Sequence, residues 1–231
     1  MSIPLTLGVP HRPDPQALVA GLLQQRLGSA AAAATARPGS ISTGPAVITA
    51  STLTGLSADV DLGRITVDLD IDPEELKRDA VATYEVVRFH VSVDESTLSD
   101  ALALRLPSPL VIFPEQVDLD TVTAIVDAHR TPGFAASSAP RHIADVLAVV
   151  AHAEVGFVAT ASSGAEVFAI LAATVAALRG DDIPTALAQP DLAALAALRP
   201  EAAEAVRTVL LGIEIDDADS AHRDLVGAGL A

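Results

Sequence analysis

The chain has 231 residues, half of them hydrophobic and only 3% aromatic, and it carries a formal net charge of −16. This length suits one domain with a short N-terminal appendage, and the negative charge argues against nucleic acid and anionic membrane surfaces as partners. The chain has no cysteine, which excludes disulfides, thiol nucleophiles and thiolate metal sites, and which agrees with a cytoplasmic location. We find no signal-peptide pattern at the start and no apolar run of the roughly 18 residues that a membrane span needs.

Residues 1–45 are predicted to form an N-terminal helix followed by an arm. The sequence over 13–28 places Leu18, Leu22 and Leu23 on one side of a helix, with a glycine as its stop. The Ala-, Pro- and Gly-rich stretch after it is typical of a linker, or of an arm that crosses a partner subunit.

A single α/β domain is predicted over residues 46–231. From residue 64 onward, apolar runs recur every 21 to 24 residues, and the segments between them have helical periodicity. These runs begin near Ile65, Val86, Leu110, Phe134 and Val155. Asp72, Asp118 and Ser163 are placed to cap the helices that follow three of the strands. Strands that alternate with helices in this way predict right-handed crossovers and a mainly parallel sheet.

Two architectures fit this pattern, and a (β/α)8-like or partial barrel is favoured over an open two- or three-layer α/β sheet. The strand over 87–93 alternates apolar residues with Arg88 and His90, so in a barrel its apolar side would face the helices and those two side chains would face the interior. A last strand over 210–215 and a closing helix over 221–225 would help to complete the barrel.

The weakness of the barrel prediction is the N-terminal half of the chain. Between Ala46 and Arg64 there is no room for a full crossover helix. An open sheet needs no such completeness and therefore stays as the alternative.

Active sites of parallel α/β folds lie beyond the carboxyl ends of the strands, which selects a short set of residues. Asp94 and Glu115 each follow a predicted strand and could bind Mg²⁺ or Mn²⁺ with waters completing the shell. His90 would move protons and Arg88 would hold the substrate anion. The alternatives are that Asp94 caps a helix, that Glu115 is solvated and that His90 is a structural histidine.

Small hydroxyl residues and a glycine also follow two later strands, ahead of free helix amides that could bind a phosphate or carboxylate. The predicted substrate-binding residues are Ser137, Ser138, Thr160, Ser162, Ser163 and Gly164. Capping of the next helix is the alternative role for Ser163. The single lysine, Lys77, lies on a predicted surface helix, which argues against Schiff-base and pyridoxal-phosphate chemistry.

The sequence therefore favours an enzyme: a metal-assisted lyase, aldolase or isomerase acting on a small anionic substrate, either an oxo-acid or a phosphorylated compound. This expectation rests on polar residues at strand ends and on analogy at the level of fold. The alternative is a non-catalytic assembly or scaffold protein, because no catalytic motif is complete. Ala-rich helices pack well at subunit interfaces, so we expect a homo-oligomer in either case.

Overall fold

The structure is a computed structural model that describes residues 16–35 and 39–231. Within these residues, eight strands and eleven helices follow one another along the chain. The strands are β1 (Leu23–Leu27), β2 (Ala46–Thr49), β3 (Asp61–Asp68), β4 (Thr83–Val93), β5 (Leu110–Pro114), β6 (Thr131–Ala135), β7 (Phe157–Thr160) and β8 (Leu210–Ile215). The helices are α1 (Ala30–Thr35), α2 (Ala50–Thr54), α3 (Pro73–Asp79), α4 (Leu98–Ala103), α5 (Leu119–Asp127), α6 (Pro140–Val150), α7 (Gly164–Arg179), α8 (Ile183–Ala188), α9 (Leu192–Ala196), α10 (Pro200–Val209) and α11 (Ala218–Gly227).

The eight described strands form one closed barrel in which every pairing is parallel. Closure takes place between β8 and β1, where Leu23 pairs with Ile213 and Gln24 pairs with Glu214. A closed parallel barrel whose strands are each followed by a helix is a (β/α)8 arrangement. The structure thus confirms the predicted fold class and favours the barrel over the open sheet.

The predicted helix over residues 13–28 is wrong in the part that the structure describes. Residues 23–27 form β1 and pair with both of its neighbours in the barrel, and residues 13–15 lie outside the described residues. The local pattern misled because Gln24, Gln25 and Arg26 are three consecutive polar residues, so the strand lacks the apolar/polar alternation of a half-buried strand. Pairing on both sides overrides the helical preference of this segment.

The strand and the helix that were predicted to complete the barrel are both present in the structure. The predicted strand over 210–215 is β8, and the predicted closing helix lies within α11. The segment between β2 and β3 contains only the five-residue α2. A short helix with its loops is therefore enough for this crossover, and the barrel closes without a long helix there.

The hydrophobic core lies mainly between the outer face of the barrel and the surrounding helices. Val67, Phe89 and Ile112 alternate with inward-facing residues along their strands and are buried in one apolar cluster. Phe134 and Phe157 belong to a second cluster, and their rings stack with centroids 5.2 Å apart. Among the described helices, none is both long and apolar enough to cross a membrane.

Candidate active site at the carboxyl end of the barrel

Four strands direct polar side chains into the barrel. Paired residues of a parallel sheet point to the same face, so the register defines the inner set. Asp68 of β3 pairs with His90 of β4, and Gln24 of β1 pairs with Glu214 of β8. His90 and Glu214 are each 1% exposed, which shows that these polar groups are inside the barrel.

Glu214 is the centre of an ion-pair network that crosses the barrel. Its Oε2 accepts a hydrogen bond from Nε of Arg26 at 2.6 Å, and its Oε1 contacts Nδ1 of His90. The side chain of Arg26 is 46% exposed, whereas Glu214 and His90 are buried. Strands from the start, middle and end of the chain therefore meet at one carboxylate.

The surroundings of Glu214 favour its charged form. Burial acts to raise the pKa of Glu214, but the interactions with His90 and Arg26 outweigh burial and leave the pKa below its ordinary value of 4.5. Glu214 is therefore ionised at neutral pH, and its negative charge is held between two side chains.

The pKa of Asp68 is shifted in the opposite direction. Burial is the largest cause, and the negative charge of Glu214 adds to it, so that the pKa of Asp68 is raised above its ordinary value of 3.8. The interactions with Arg26 and His90 oppose this shift without cancelling it. The Asp68 carboxyl makes no side-chain hydrogen bond or ion pair within the described part of the chain. Carboxyls whose surroundings shift their pKa values in opposite directions are candidates for the acid and the base of one site.

Two adjoining cavities open at the carboxyl ends of the strands, where active sites of such barrels lie. The larger is about 540 Å³ and the smaller about 140 Å³, and Arg26 and Thr160 line both. Glu214 lines the smaller cavity, and Phe113 lines the larger one above His90, with ring centroids 5.4 Å apart. The terminal nitrogens of Arg26 have no hydrogen-bond partner among the described residues, so they are free to bind an anion in either cavity.

The structure brings only some of the predicted substrate-binding residues to these cavities. Ser138 lines the larger cavity, Ser137 and Ser162 line the smaller one, and Thr160 lines both. A role in binding a substrate at the mouth stays a prediction for these four side chains.

Acidic side chains surround the start of α7. The backbone N–H and hydroxyl of Ser162 donate to the carboxylate of Glu166, at 2.7 and 3.0 Å. The hydroxyl of Ser163 accepts from the N–H of Glu166, which makes Ser163 the N-cap. Gly164 is buried so closely against Asp224 that an added Cβ would lie 2.1 Å from a carboxylate oxygen. Carboxylates of the chain itself thus occupy the region where the sequence predicts a substrate anion.

Asp94 and Glu115 were predicted to hold a metal ion, and both are exposed at the same edge of the barrel. The Asp94 carboxylate already accepts from the N–H of Thr97 at 2.9 Å and from the hydroxyls of Ser96 and Thr97, and these bonds lower its pKa. No group of three metal-ligating side chains is found within the described residues. Metal binding by Asp94 and Glu115 with waters stays a prediction, and no chemical step is assigned to it.

Sequence reasoning selected His90 and missed the groups that it contacts. Arg26 lies in the predicted N-terminal helix, and Asp68 is not among the residues that the strand-end rule selects. Glu214 offered a usable signal, since it is the only charged residue of the otherwise apolar strand β8. A charged residue in such a strand is rarely buried without a partner, which would have predicted a cation facing it.

Comparisons of the chain with protein-family models, with curated proteins and with solved structures found no match. The fold is therefore known from the structure alone, and the function has to be inferred from the site.

Proposed function

We propose that the chain is an enzyme that moves a proton on a small anionic substrate, with lyase, aldolase or isomerase chemistry. The observation that carries this proposal is the buried network of Arg26, Glu214 and His90, with Asp68 beside it, under the mouth of a closed barrel. Buried charged groups cost folding free energy, and a barrel interior is more stable when apolar side chains fill it. Such a cost is commonly tolerated where the groups perform chemistry.

Arg26 provides the binding charge in this proposal. Its Nε is held by Glu214, which fixes the plane of the guanidinium, and its side chain lines both cavities at the mouth. A guanidinium with two free donors matches the oxygens of a carboxylate or phosphate. The protein surface is strongly negative, so an exposed arginine at the mouth is a local attraction for an anion.

Asp68 and Glu214 provide the acid and the base. Glu214 is ionised and lines the smaller cavity, so it can accept a proton from a carbon or hydroxyl group of a substrate bound there. Asp68 lies at the carboxyl end of β3, and its raised pKa keeps a larger protonated fraction available for donation to the substrate. His90 acts through Glu214 in this scheme and is a positioning residue, because it is buried beneath the cavities.

Proton exchange from a panel of small anions tests this proposal. We would incubate the protein in D₂O with 2-oxo acids and with phosphorylated keto compounds, and follow the C–H signal next to the carbonyl by proton NMR. At least one compound should exchange in the presence of the wild-type protein. Glu214→Gln, Asp68→Asn and Arg26→Met should each slow that exchange by about 10²-fold or more.

Glu85→Gln is the matched control, since it removes one carboxylate that is 70% exposed near the start of β4, away from the mouth, and its exchange rate should equal that of the wild type. Exchange by wild type that Glu214→Gln and Asp68→Asn leave unchanged would contradict the proposal. Addition of EDTA separates the metal-assisted version of the chemistry from the metal-free one: loss of exchange that Mg²⁺ or Mn²⁺ restores would support the metal-assisted version.

A further inference from the structure

A second charged cluster lies at the opposite, amino end of the barrel and takes no part in the proposed reaction. Arg88 lies on the inner face of β4, one inward position before His90. Arg207 lies in the last turn of α10, directly before β8. Its guanidinium donates to the carbonyls of Leu210 and Leu211, the second bond measuring 3.4 Å, and these bonds hold its charge at the start of that strand.

Neither arginine has a carboxylate partner among the described residues, although the chain contains 30 acidic and only 14 basic residues. Glu214 attracts Arg88 from a distance but is already bound by Arg26. Burial lowers the pKa of Arg88, and burial together with the charge of Arg88 lowers the pKa of Arg207 to about 10. Two positive charges therefore repel each other in a partly buried place, and no carboxylate of the described part of the chain pairs with either of them.

Two buried hydrogen-bonding groups at this end of the barrel also have no partner among the described residues. Nη1 of Arg88 is buried and has no partner within the described residues. Thr66 pairs with Arg88 across the two strands and points to the same face, and it is 0% exposed with an unpartnered Oγ1. Buried polar atoms nearly always have a protein or solvent partner, so these two neighbouring donors require an acceptor that residues 16–35 and 39–231 do not supply.

We propose that a small inorganic anion binds inside the amino end of the barrel, between Arg88 and Arg207, with the hydroxyl of Thr66 as a further donor. An anion satisfies the charge of both guanidinium groups and the free donors together, whereas a water molecule would leave the charges uncompensated. Chloride is an anion of this class that cells supply, and it is the probe for the site.

Chloride-dependent stability tests the site. We would measure Tm in sodium gluconate and in sodium chloride at equal ionic strength, so that only the anion differs. The wild-type Tm should rise by roughly 3–6 °C when chloride reaches ten times its Kd. Arg88→Met should abolish this rise. In gluconate, the Arg88→Met variant should melt at or above the wild-type Tm, because the substitution removes a partly buried charge that has no partner among the described residues.

Two control variants separate this site from other cationic positions. Arg64→Met removes one positive charge that is 68% exposed on β3, and Arg26→Met removes the cation at the mouth of the barrel. Both should keep the wild-type chloride response. A response that persists in Arg88→Met, or that is lost in Arg26→Met alone, would overturn the proposal, as would no response in the wild-type protein.

Crystallography with bromide tests the anion site in the wild-type protein, without any variant. Anomalous scattering from wild-type crystals grown in bromide should show a peak in contact with the side chains of Arg88 and Arg207. Ordered water at that place, with no anomalous peak, would overturn the proposal.

Discussion

Replacement of Glu214 by Gln keeps the shape of the side chain and removes the charge at the centre of the network. Glu214 is 1% exposed and has charged or ionisable partners on both oxygens, and a hydrogen bond to a charged group contributes about 1.5–3 kcal/mol. Arg26 is half exposed, so solvent screening reduces its share. We expect Glu214→Gln to lower the free energy of unfolding by about 2–4 kcal/mol at pH 7, which corresponds to a Tm decrease of roughly 5–15 °C.

The direction of the pKa shift of Glu214 determines how the stability difference between wild type and Glu214→Gln changes with pH. The pKa of Glu214 is lower in the folded protein than its ordinary value of 4.5, so the folded state binds the proton more weakly than the unfolded chain. The stability from this group is fully present above the unfolded pKa and is lost as the pH falls through the folded pKa. The difference between wild type and Glu214→Gln should therefore be constant from pH 7 to about pH 5 and then shrink as the pH falls further.

Urea denaturation of both proteins at several pH values between 7 and 3 measures this difference. Glu85→Gln is again the matched control, and it should change stability by less than about 0.5 kcal/mol because its ion pair with Arg64 is exposed. Equal stability of wild type and Glu214→Gln at pH 7 would refute the reasoning. A difference that stays constant down to pH 3 would refute the assignment of the effect to the charge.

Three further predictions concern other parts of the account. Asp68→Asn should raise Tm at pH 7 by a few degrees, because the pKa of Asp68 is raised in the folded protein and its ionised form therefore destabilises the fold above the ordinary pKa of 3.8. Thermal melts at several pH values should show that this gain in Tm vanishes below pH 3.8. Gly133→Ala should cost about 1–3 kcal/mol in urea denaturation, because the new Cβ would lie 2.5 Å from the ring of Phe113, whereas Gly28→Ala, with no atom within 4 Å, should be close to neutral. Light scattering should give a mass above the 23.5 kDa of one chain, and a monomer would contradict the expected homo-oligomer.

The strand–helix alternation could be predicted from the sequence because each element carries its own signal. The alternation of β4 placed Arg88 and His90 on one face, and the spacing of the apolar runs indicated parallel strands. Both inferences use patterns within a few residues of each other, and the closed barrel of the structure confirms them.

The site could be predicted only in part, because its contacts join residues that are far apart in the chain. Arg26 and Glu214 are separated by 188 positions, and β1 gives no strand pattern, since three consecutive polar residues, Gln24, Gln25 and Arg26, interrupt the alternation. Asp94 and Glu115, in contrast, are easy to locate from the sequence because they follow strands. Their position at a strand end does not decide whether a carboxylate caps a helix or faces a ligand.

A carbon-13 NMR titration of the side-chain carboxyls tests the central claim most directly, because it measures the protonation of the two groups that the proposed chemistry needs. The signals of Asp68 and Glu214 would be assigned by their disappearance in Asp68→Asn and Glu214→Gln. We predict that Glu214 titrates below 4.5 and Asp68 above 3.8. If both carboxyls titrate at their ordinary values, or if either pKa is shifted in the opposite direction, the barrel does not tune the two groups as the proposed acid and base and the account is contradicted.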